Sequence, residues 1–285
     1  MTGKRRRDYF ITVPDDGLLA YEVGPWAEDK YRRVGMYAEM FATGMKNLWD
    51  RRVYLDLFAG PGHARVRGTT KVVLGSPMIA LQLPDRFDRY VFADEYSNAL
   101  NALKARVARV TPPPSVSFIP GDVNAILDGI LEEIPKERRT LSFCFLDPYR
   151  LNIQFDTVRR LADRGPVDFL ILLALYVDAN RNERTYVEDT NETIDAFLGD
   201  STWRETWEYV RKAGLTIVEF LAKEYASRMV RLGYLPVSLD RMVKVRTHNK
   251  RLPLYYLAFF SRHKKGLEFW DQVLKYSDDQ LGLGL

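Results

Sequence analysis

Val53-Tyr54-Leu55-Asp56-Leu57-Phe58-Ala59-Gly60-Pro61-Gly62 is an apolar run, interrupted by one acid and closed by a glycine-rich turn. A short apolar run without polar alternation reads as a strand buried on both faces, here Val53–Phe58. The glycines behind it let the chain turn sharply and approach a ligand closely. Four similar runs follow: Arg89–Asp94, Ser115–Ile119, Leu141–Leu146 and Phe169–Val177. Helical patterns lie between them. Leu100, Leu103, Val107 and Val110 recur at spacings of three and four, as do Ile126, Ile130 and Ile134, and Asp156–Ala162 adds Val158 and Leu161. Strand–helix alternation of this kind predicts a doubly wound α/β fold.

Outside this core, Trp26–Leu48 reads as a helix with Tyr37, Met40, Phe41 and Met45 on one face. The loop after the first core strand runs from Ala59 to Gly75, where Gly75-Ser76-Pro77 predicts a helix start with Ser76 as N-cap and Pro77 first inside. Asn180–Arg231 reads as a helical insertion. Met242–Val245 and Leu254–Phe260 read as two strands of a hairpin, and Lys264–Lys275 as a last helix. The expected organisation is a basic, flexible segment over 1–21, with Lys4-Arg5-Arg6-Arg7, and one domain over 22–285.

Composition excludes several alternatives. A single cysteine, Cys144, rules out a disulfide framework or a cysteine-based metal cluster. His63, His248 and His263 are too far apart for a short histidine ligand motif, so no metal is expected. The apolar run Phe169–Val177 falls well short of the roughly 20 residues that span a bilayer, so no membrane association is expected. With a lone thiol and no leader pattern, the expected location is cytoplasmic. The formal charge of +4 permits a nucleic-acid partner without requiring one.

Four places would carry chemistry, each at the carboxyl end of a predicted core strand, where open α/β sheets bind cofactors. The first is Asp56 with the loop Phe58, Ala59, Gly60 and Gly62, and Ser76 beyond it. A dinucleotide fingerprint needs a third glycine where this chain has Arg65. An acid before the glycines instead suits a cofactor with a cationic amino or sulfonium group, and S-adenosylmethionine has both. The second is Asp94, with Glu95 behind it, in the place of an acid that pairs ribose hydroxyls. Its distance from Gly62 exceeds the usual offset of roughly 20 residues, which the long loop through Gly75 accounts for. The third is Asp122 after Gly121, as an acceptor for an adenine amino group or simply a helix-capping turn. The fourth is Asp147-Pro148-Tyr149, where a stiffened turn would hold acceptors for an amine and an aromatic ring to stack on its plane.

Together these four pieces resemble a class I S-adenosylmethionine-dependent methyltransferase. More narrowly, the chain resembles the three-Cys-motif partner family, known as TcmP. The matching residues are Val23-Gly24-Pro25-Trp26-Ala27, Asp56 through Gly62, Gly75-Ser76-Pro77, Leu146-Asp147-Pro148-Tyr149, Leu254-Tyr255-Tyr256-Leu257 and Ser261-Arg262-His263. The resemblance implies a Rossmann-like methyltransferase fold with a seven-stranded, mostly parallel sheet and helices on both faces. It also implies a partner protein with a three-cysteine motif, of radical-SAM type. Arg150 departs from the glycine usual after Asp-Pro-aromatic in that family. A second proline, typical of DNA adenine amino-methyltransferases, is missing after Pro148.

Arg241, Lys244, Arg246, His248, Lys250 and Arg251 form the densest basic tract and fall on the predicted hairpin. Arg246, His248, Lys250 and Arg251 are therefore candidates for nucleic-acid phosphates, and Trp203, Trp207 and Tyr209 for base stacking, with a solvated strand face and a plain core as the alternatives. The function expected is methyl transfer from S-adenosylmethionine to a nucleic-acid base or nucleotide-like amine. The alternative is a catalytically silent partner of a three-cysteine-motif protein.

Overall fold

The computed structural model describes residues 10–136, 139–247 and 251–282. Tertiary contacts divide the chain into two compact units, one running to Leu146 and resuming at Glu268, the other Asp147–Leu267. Seven strands make up the main sheet. In the first unit these are β3 (Arg51–Asp56), β6 (Arg89–Asp94), β7 (Val116–Pro120) and β8 (Thr140–Leu146), introduced after β1 (Phe10–Thr12), β2 (Leu19–Val23), β4 (His63–Val66) and β5 (Val72–Leu74). They lie in the order β8-β3-β6-β7 and every neighbouring pair is parallel. The order reverses between β3 and β8, the place where doubly wound sheets open a crevice beyond their carboxyl ends. In the second unit β9 (Val167–Leu173) pairs antiparallel with β11 (Pro253–Phe260), which pairs antiparallel with the edge strand β10 (Val243–Arg246). The α/β class and the seven-stranded, mostly parallel sheet expected from the sequence are present.

The core strands are apolar because both faces are covered. β8 and β9 are buried at all seven positions. Helix α1 (Trp26–Met45) buries Tyr31, Val34, Tyr37, Ala38, Phe41 and Met45, spaced three and four apart as one helical face. Its aromatics join those of the strands: Tyr37 packs 4.8 Å from Phe143, Phe41 5.6 Å from Phe87, and Tyr54 5.6 Å from Phe143. Each such pair adds about 0.5–1.5 kcal/mol to what burial alone supplies. Trp270, on α10 (Lys264–Gly282), closes the group against Tyr37.

Two features differ from the sequence expectation. The stretch from Ala59 to Gly75 is not one long loop. It folds as the antiparallel pair β4–β5, and β4 pairs in parallel with β2, giving a second sheet of order β1-β2-β4-β5. Residues 10–21, placed above in the leading segment, thus carry β1 and the start of β2. Phe10 stacks on Tyr21 at 4.7 Å, and Tyr21, Ala27, Tyr31 and Ala64 form a small separate core. The second feature is the start of α2 (Ser76–Leu81). Gly75 is the residue before the helix and Ser76 is already inside it, making no capping bond.

The remaining first-unit helices are α3 (Ser97–Val107) and α4 (Leu127–Glu132); α5 (Phe155–Arg164) opens the second unit. The strand expected over Phe169–Val177 ends at Leu173, and Leu175–Ala179 form a single π-helical turn. The expected insertion over Asn180–Arg231 is helical: α6 (Glu183–Tyr186), α7 (Thr193–Leu198), α8 (Trp203–Lys212) and α9 (Ile217–Arg231). α9 begins at a capping box, Thr216 and Glu219 satisfying each other's backbone N–H groups. No helix among the described residues is long and apolar enough to cross a membrane.

Trp203 and Trp207 belong to this packing, as the plain-core reading has it, and are not base-stacking surfaces. Trp203 is 1% exposed and Trp207 5%, and Trp207 lies 5.4 Å from Phe220. Truncating Trp207 to alanine should cost about 3–5 kcal/mol, measured by urea unfolding. A change below about 1 kcal/mol would mean that the ring is not core.

Candidate functional site

The register puts the acids of the first unit at one end of the sheet. Asp56, the last residue of β3, stands level with Phe92 on β6 and Phe145 on β8. Two residues beyond Phe92, Asp94 ends β6. The glycine loop is laced over these strand ends: Leu57 N donates to Phe145 O at 3.3 Å, Ala59 N to Ala93 O at 2.9 Å, and Gly60 N to the Asp94 carboxylate at 2.8 Å. Gly75 N closes the far side on Gly62 O at 2.7 Å. Gly60 and Gly62 have φ of 63° and 87°, which glycine adopts without the penalty other residues meet. A Cβ on Gly60 would also lie 2.6 Å from the Tyr21 ring.

Asp56 is fully buried. Tyr54 donates its hydroxyl to Asp56 Oδ2 at 3.4 Å, and Ser76 is hydrogen-bonded to Tyr54 in turn. Burial pushes the Tyr54 hydroxyl well above its ordinary pKa, and the Asp56 charge pushes it further. Burial and the same charge raise the Cys144 thiol. The thiol is therefore an inert, protonated core group. Ser76, a candidate cofactor residue, is engaged with Tyr54 and 4% exposed.

The structure gives Asp94 a structural task at the loop. It is 2% exposed, and its two carboxylate oxygens accept from Gly60 N and Tyr96 N. It fastens the loop, while Glu95 is the exposed acid at that strand end. Asp122 is exposed and accepts from Asn124 N at 2.8 Å, with its carbonyl receiving Ala125 N and Ile126 N, so it shapes the turn into α4.

Sequence reasoning missed the group that holds this loop from behind. Arg106, on the buried face of α3, is 2% exposed. Its Nη1 donates to Pro61 O at 2.5 Å and to Leu19 O at 2.7 Å, while Nε and Nη2 grip Asp16 at 2.7 and 2.9 Å. One guanidinium thereby fastens the glycine loop to the turn between β1 and β2. A charged residue at a position of helical apolar periodicity is the only local trace of it. Burial would raise the Asp16 carboxyl, but hydrogen bonds from Arg106 and Leu18 outweigh that and hold it below its ordinary value. Burial and the Arg106 charge lower His63, leaving its imidazole neutral near pH 7. His63 Nδ1 lies 3.6 Å from Asp15 and 3.7 Å from Asp16. These three residues place ligand atoms within 4.8 Å of one another. Arg106 already neutralises Asp16, so the group is an electrostatic cluster around that ion pair.

In the second unit Asp147 is 8% exposed, Pro148 is buried and Tyr149 is 40% exposed. The next turn is fixed by a residue that sequence reasoning did not single out. Asp178, on the π-helical turn, accepts from Leu151 N at 2.8 Å, Asn182 Nδ2 at 2.9 Å and Tyr186 OH at 2.8 Å. Such turns interrupt regular structure and are frequent at functional sites. Arg150 is exposed, and its charge partly offsets the rise that burial and Asp178 impose on the Tyr186 hydroxyl. Of the basic candidates, Arg246 is exposed on β10 and donates to Arg251 O at 2.9 Å, and Arg251 takes a φ of 48°. His248 and Lys250 lie outside the described residues.

No protein-family model matches the sequence, and no curated protein matches it. Solved structures similar to the chain include TYW2 of M. jannaschii in complex with AdoMet, at 11% identity and a TM-score of 0.42, covering 92% of this chain and 90% of that one. The O-methyltransferase TomG of Streptomyces achromogenes in complex with SAM is 12% identical, with a TM-score of 0.38, covering 92% and 100%. A DUF574 family protein of Streptomyces avermitilis is 15% identical, with a TM-score of 0.41, covering 82% and 83%.

Removing one partner of a buried ion pair strands the other charge. Arg106→Met should therefore cost about 3–5 kcal/mol in urea unfolding. The double variant Arg106→Met/Asp16→Leu should cost clearly less than the two single changes added. Additive losses would show that the pair is not coupled. His63 carries a sign of its own. Its folded pKa lies below its unfolded value near 6.5, so the stability it contributes is present above that pH and is lost on acidification through the folded pKa. His63→Gln should flatten that part of the profile.

Proposed function

We propose that the protein is an S-adenosylmethionine-dependent methyltransferase whose acceptor is a nucleic-acid base or a nucleotide-like amine. The observation that carries the reading is the glycine loop, bonded to Asp94, Ala93 and Phe145 over the carboxyl ends of parallel strands, with the buried Asp56 beneath it. This donor set fits the cofactor. Asp56 supplies negative charge for an amino or sulfonium cation, loop residues Phe58, Ala59, Gly60 and Gly62 supply the backbone wall, and Asp122 faces the adenine. Asp94, which holds the loop and keeps further lone pairs on both oxygens, takes the ribose hydroxyls, with the exposed Glu95 beside it.

When bound, the cofactor supplies a methyl group on a sulfonium that leaves readily. The chain's own work is alignment and desolvation. Asp147 and the Pro148 carbonyl accept hydrogen bonds from the acceptor amine, and Asp147 takes its proton after transfer. Tyr149 stacks on the acceptor plane. Asp178 keeps that loop in place through Leu151 N. A base within a duplex would have to be flipped out to reach it.

The second reading keeps the fold without methyl transfer and makes the protein the companion of a three-cysteine-motif, radical-SAM-like protein. Arg150, charged and exposed directly behind Asp147-Pro148-Tyr149, is the feature that favours it. Calorimetry with S-adenosylmethionine, followed by transfer assays on DNA, RNA and small amines, separates the two. Binding should be present, weakened at least about tenfold by Asp56→Ala and less by Glu95→Gln, and Asp147→Ala should abolish transfer without changing cofactor affinity. Folded protein that binds no S-adenosylmethionine would overturn the reading, and binding without transfer to any acceptor would favour the companion role.

A further inference from the structure

One cation of the second unit lies outside the machinery described above. Lys244 stands on edge strand β10 opposite Tyr256 of β11. Its ammonium lies 5.4 Å from the centre of the Tyr256 ring and 5.6 Å from that of Tyr176, so its charge sits against both phenols. Those hydroxyls are 3.4 Å apart, and the two rings are 5.7 Å apart. Tyr256 is 3% exposed, Tyr176 is half-buried and Lys244 is exposed. The partners of the ammonium are phenols instead of a carboxylate. Glu219 of α9 feels its charge but spends its own hydrogen bonds on Thr216.

Counting donors shows what this cluster lacks. An ammonium has three N–H donors and no acceptor, and a phenol has one O–H. One O–H is used between the phenols. The other O–H and the ammonium's N–H groups remain as donors, around a full positive charge. Such a set matches an oxyanion. The phenols also fix a side chain that would otherwise lose much rotamer freedom on binding a ligand.

The position of the cluster indicates which oxyanion. Tyr176 lies on the same π-helical turn as Asp178, two residues away, and Asp178 holds Leu151 N just after Asp147-Pro148-Tyr149. Arg246 follows Lys244 on the exposed face of β10 and prolongs the cationic edge. We propose that Lys244, Tyr176 and Tyr256 form a phosphate subsite for the acceptor, so the acceptor amine belongs to a nucleotide phosphate and not to a free amine. The subsite's assignment to the acceptor rests on the methyl-transfer reading above.

The test uses the full chain without cofactor, titrated calorimetrically at low ionic strength with inorganic phosphate, adenosine monophosphate and adenosine. The monophosphate should bind at least about tenfold more tightly than adenosine, the effect of about one charge-assisted hydrogen bond. Lys244→Met should remove that advantage, and Tyr176→Phe, which keeps the ring, should reduce it. Neither should alter affinity for S-adenosylmethionine. Equal binding of monophosphate and adenosine, monophosphate affinity unchanged by Lys244→Met, or no binding of phosphate or monophosphate would each overturn the subsite. Loss of cofactor binding alone would count against the methyl-transfer reading and leave the subsite standing.

Discussion

A buried guanidinium governs the candidate cofactor site. Arg106 must be paired, because a charge enclosed at 2% exposure is too costly to leave alone. Its donors reach Asp16 and the carbonyls of Leu19 and Pro61. These bonds make the glycine loop, the β1–β2 turn and α3 one electrostatic unit. Pro61 lies between Gly60 and Gly62, so the pull of Arg106 acts at the centre of the segment expected to face the cofactor. From the opposite side Asp94 holds Gly60 N. The loop is therefore shaped before any ligand arrives, and binding need not supply the entropy of ordering it.

Among the strand-end acids, burial separates scaffold from reagent. Asp94 and Asp178 are both nearly enclosed and fully engaged with backbone and side-chain donors, and each holds a loop. Glu95 is exposed and Asp122 keeps one face to solvent. Asp56 sits deeper than either, beneath the loop, where burial first and its charge second raise Tyr54 and Cys144. The basic hairpin is divided in the same way. Lys244 is oriented by two tyrosines, and Arg246 by a carbonyl of its own turn.

The local pattern revealed the main sheet because burial on both faces writes itself as an unbroken apolar run. The core strands begin within about two residues of the runs that announced them, while the run Phe169–Val177 continues past Leu173 into the π-helical turn. Pairings made between distant segments left no such trace. β4 and β5 are short, carry His63, Arg65 and Val72 among their pairs, and owe their existence to β2, so their stretch resembled a loop. The Gly75-Ser76-Pro77 signature placed α2 correctly but gave Ser76 the cap, because sequence does not show that the hydroxyl turns inward to Tyr54. That Asp94 also holds the loop was not legible, since its strand-end position is the same whether it accepts from ribose or from a backbone N–H. Trp203 and Trp207, four apart, suited a stacking surface as well as a core until Phe220 was found against them.

The loop held by Arg106 and Asp94 is the proposed binding place of S-adenosylmethionine. Amide hydrogen exchange of the full chain with and without S-adenosylmethionine probes it. The cofactor should slow exchange across Leu57–Gly62 and at Glu95 in the wild-type protein, and in Arg106→Met the same loop should exchange faster and respond less. Exchange in that loop unchanged by saturating S-adenosylmethionine, with protection appearing elsewhere or nowhere, would contradict it.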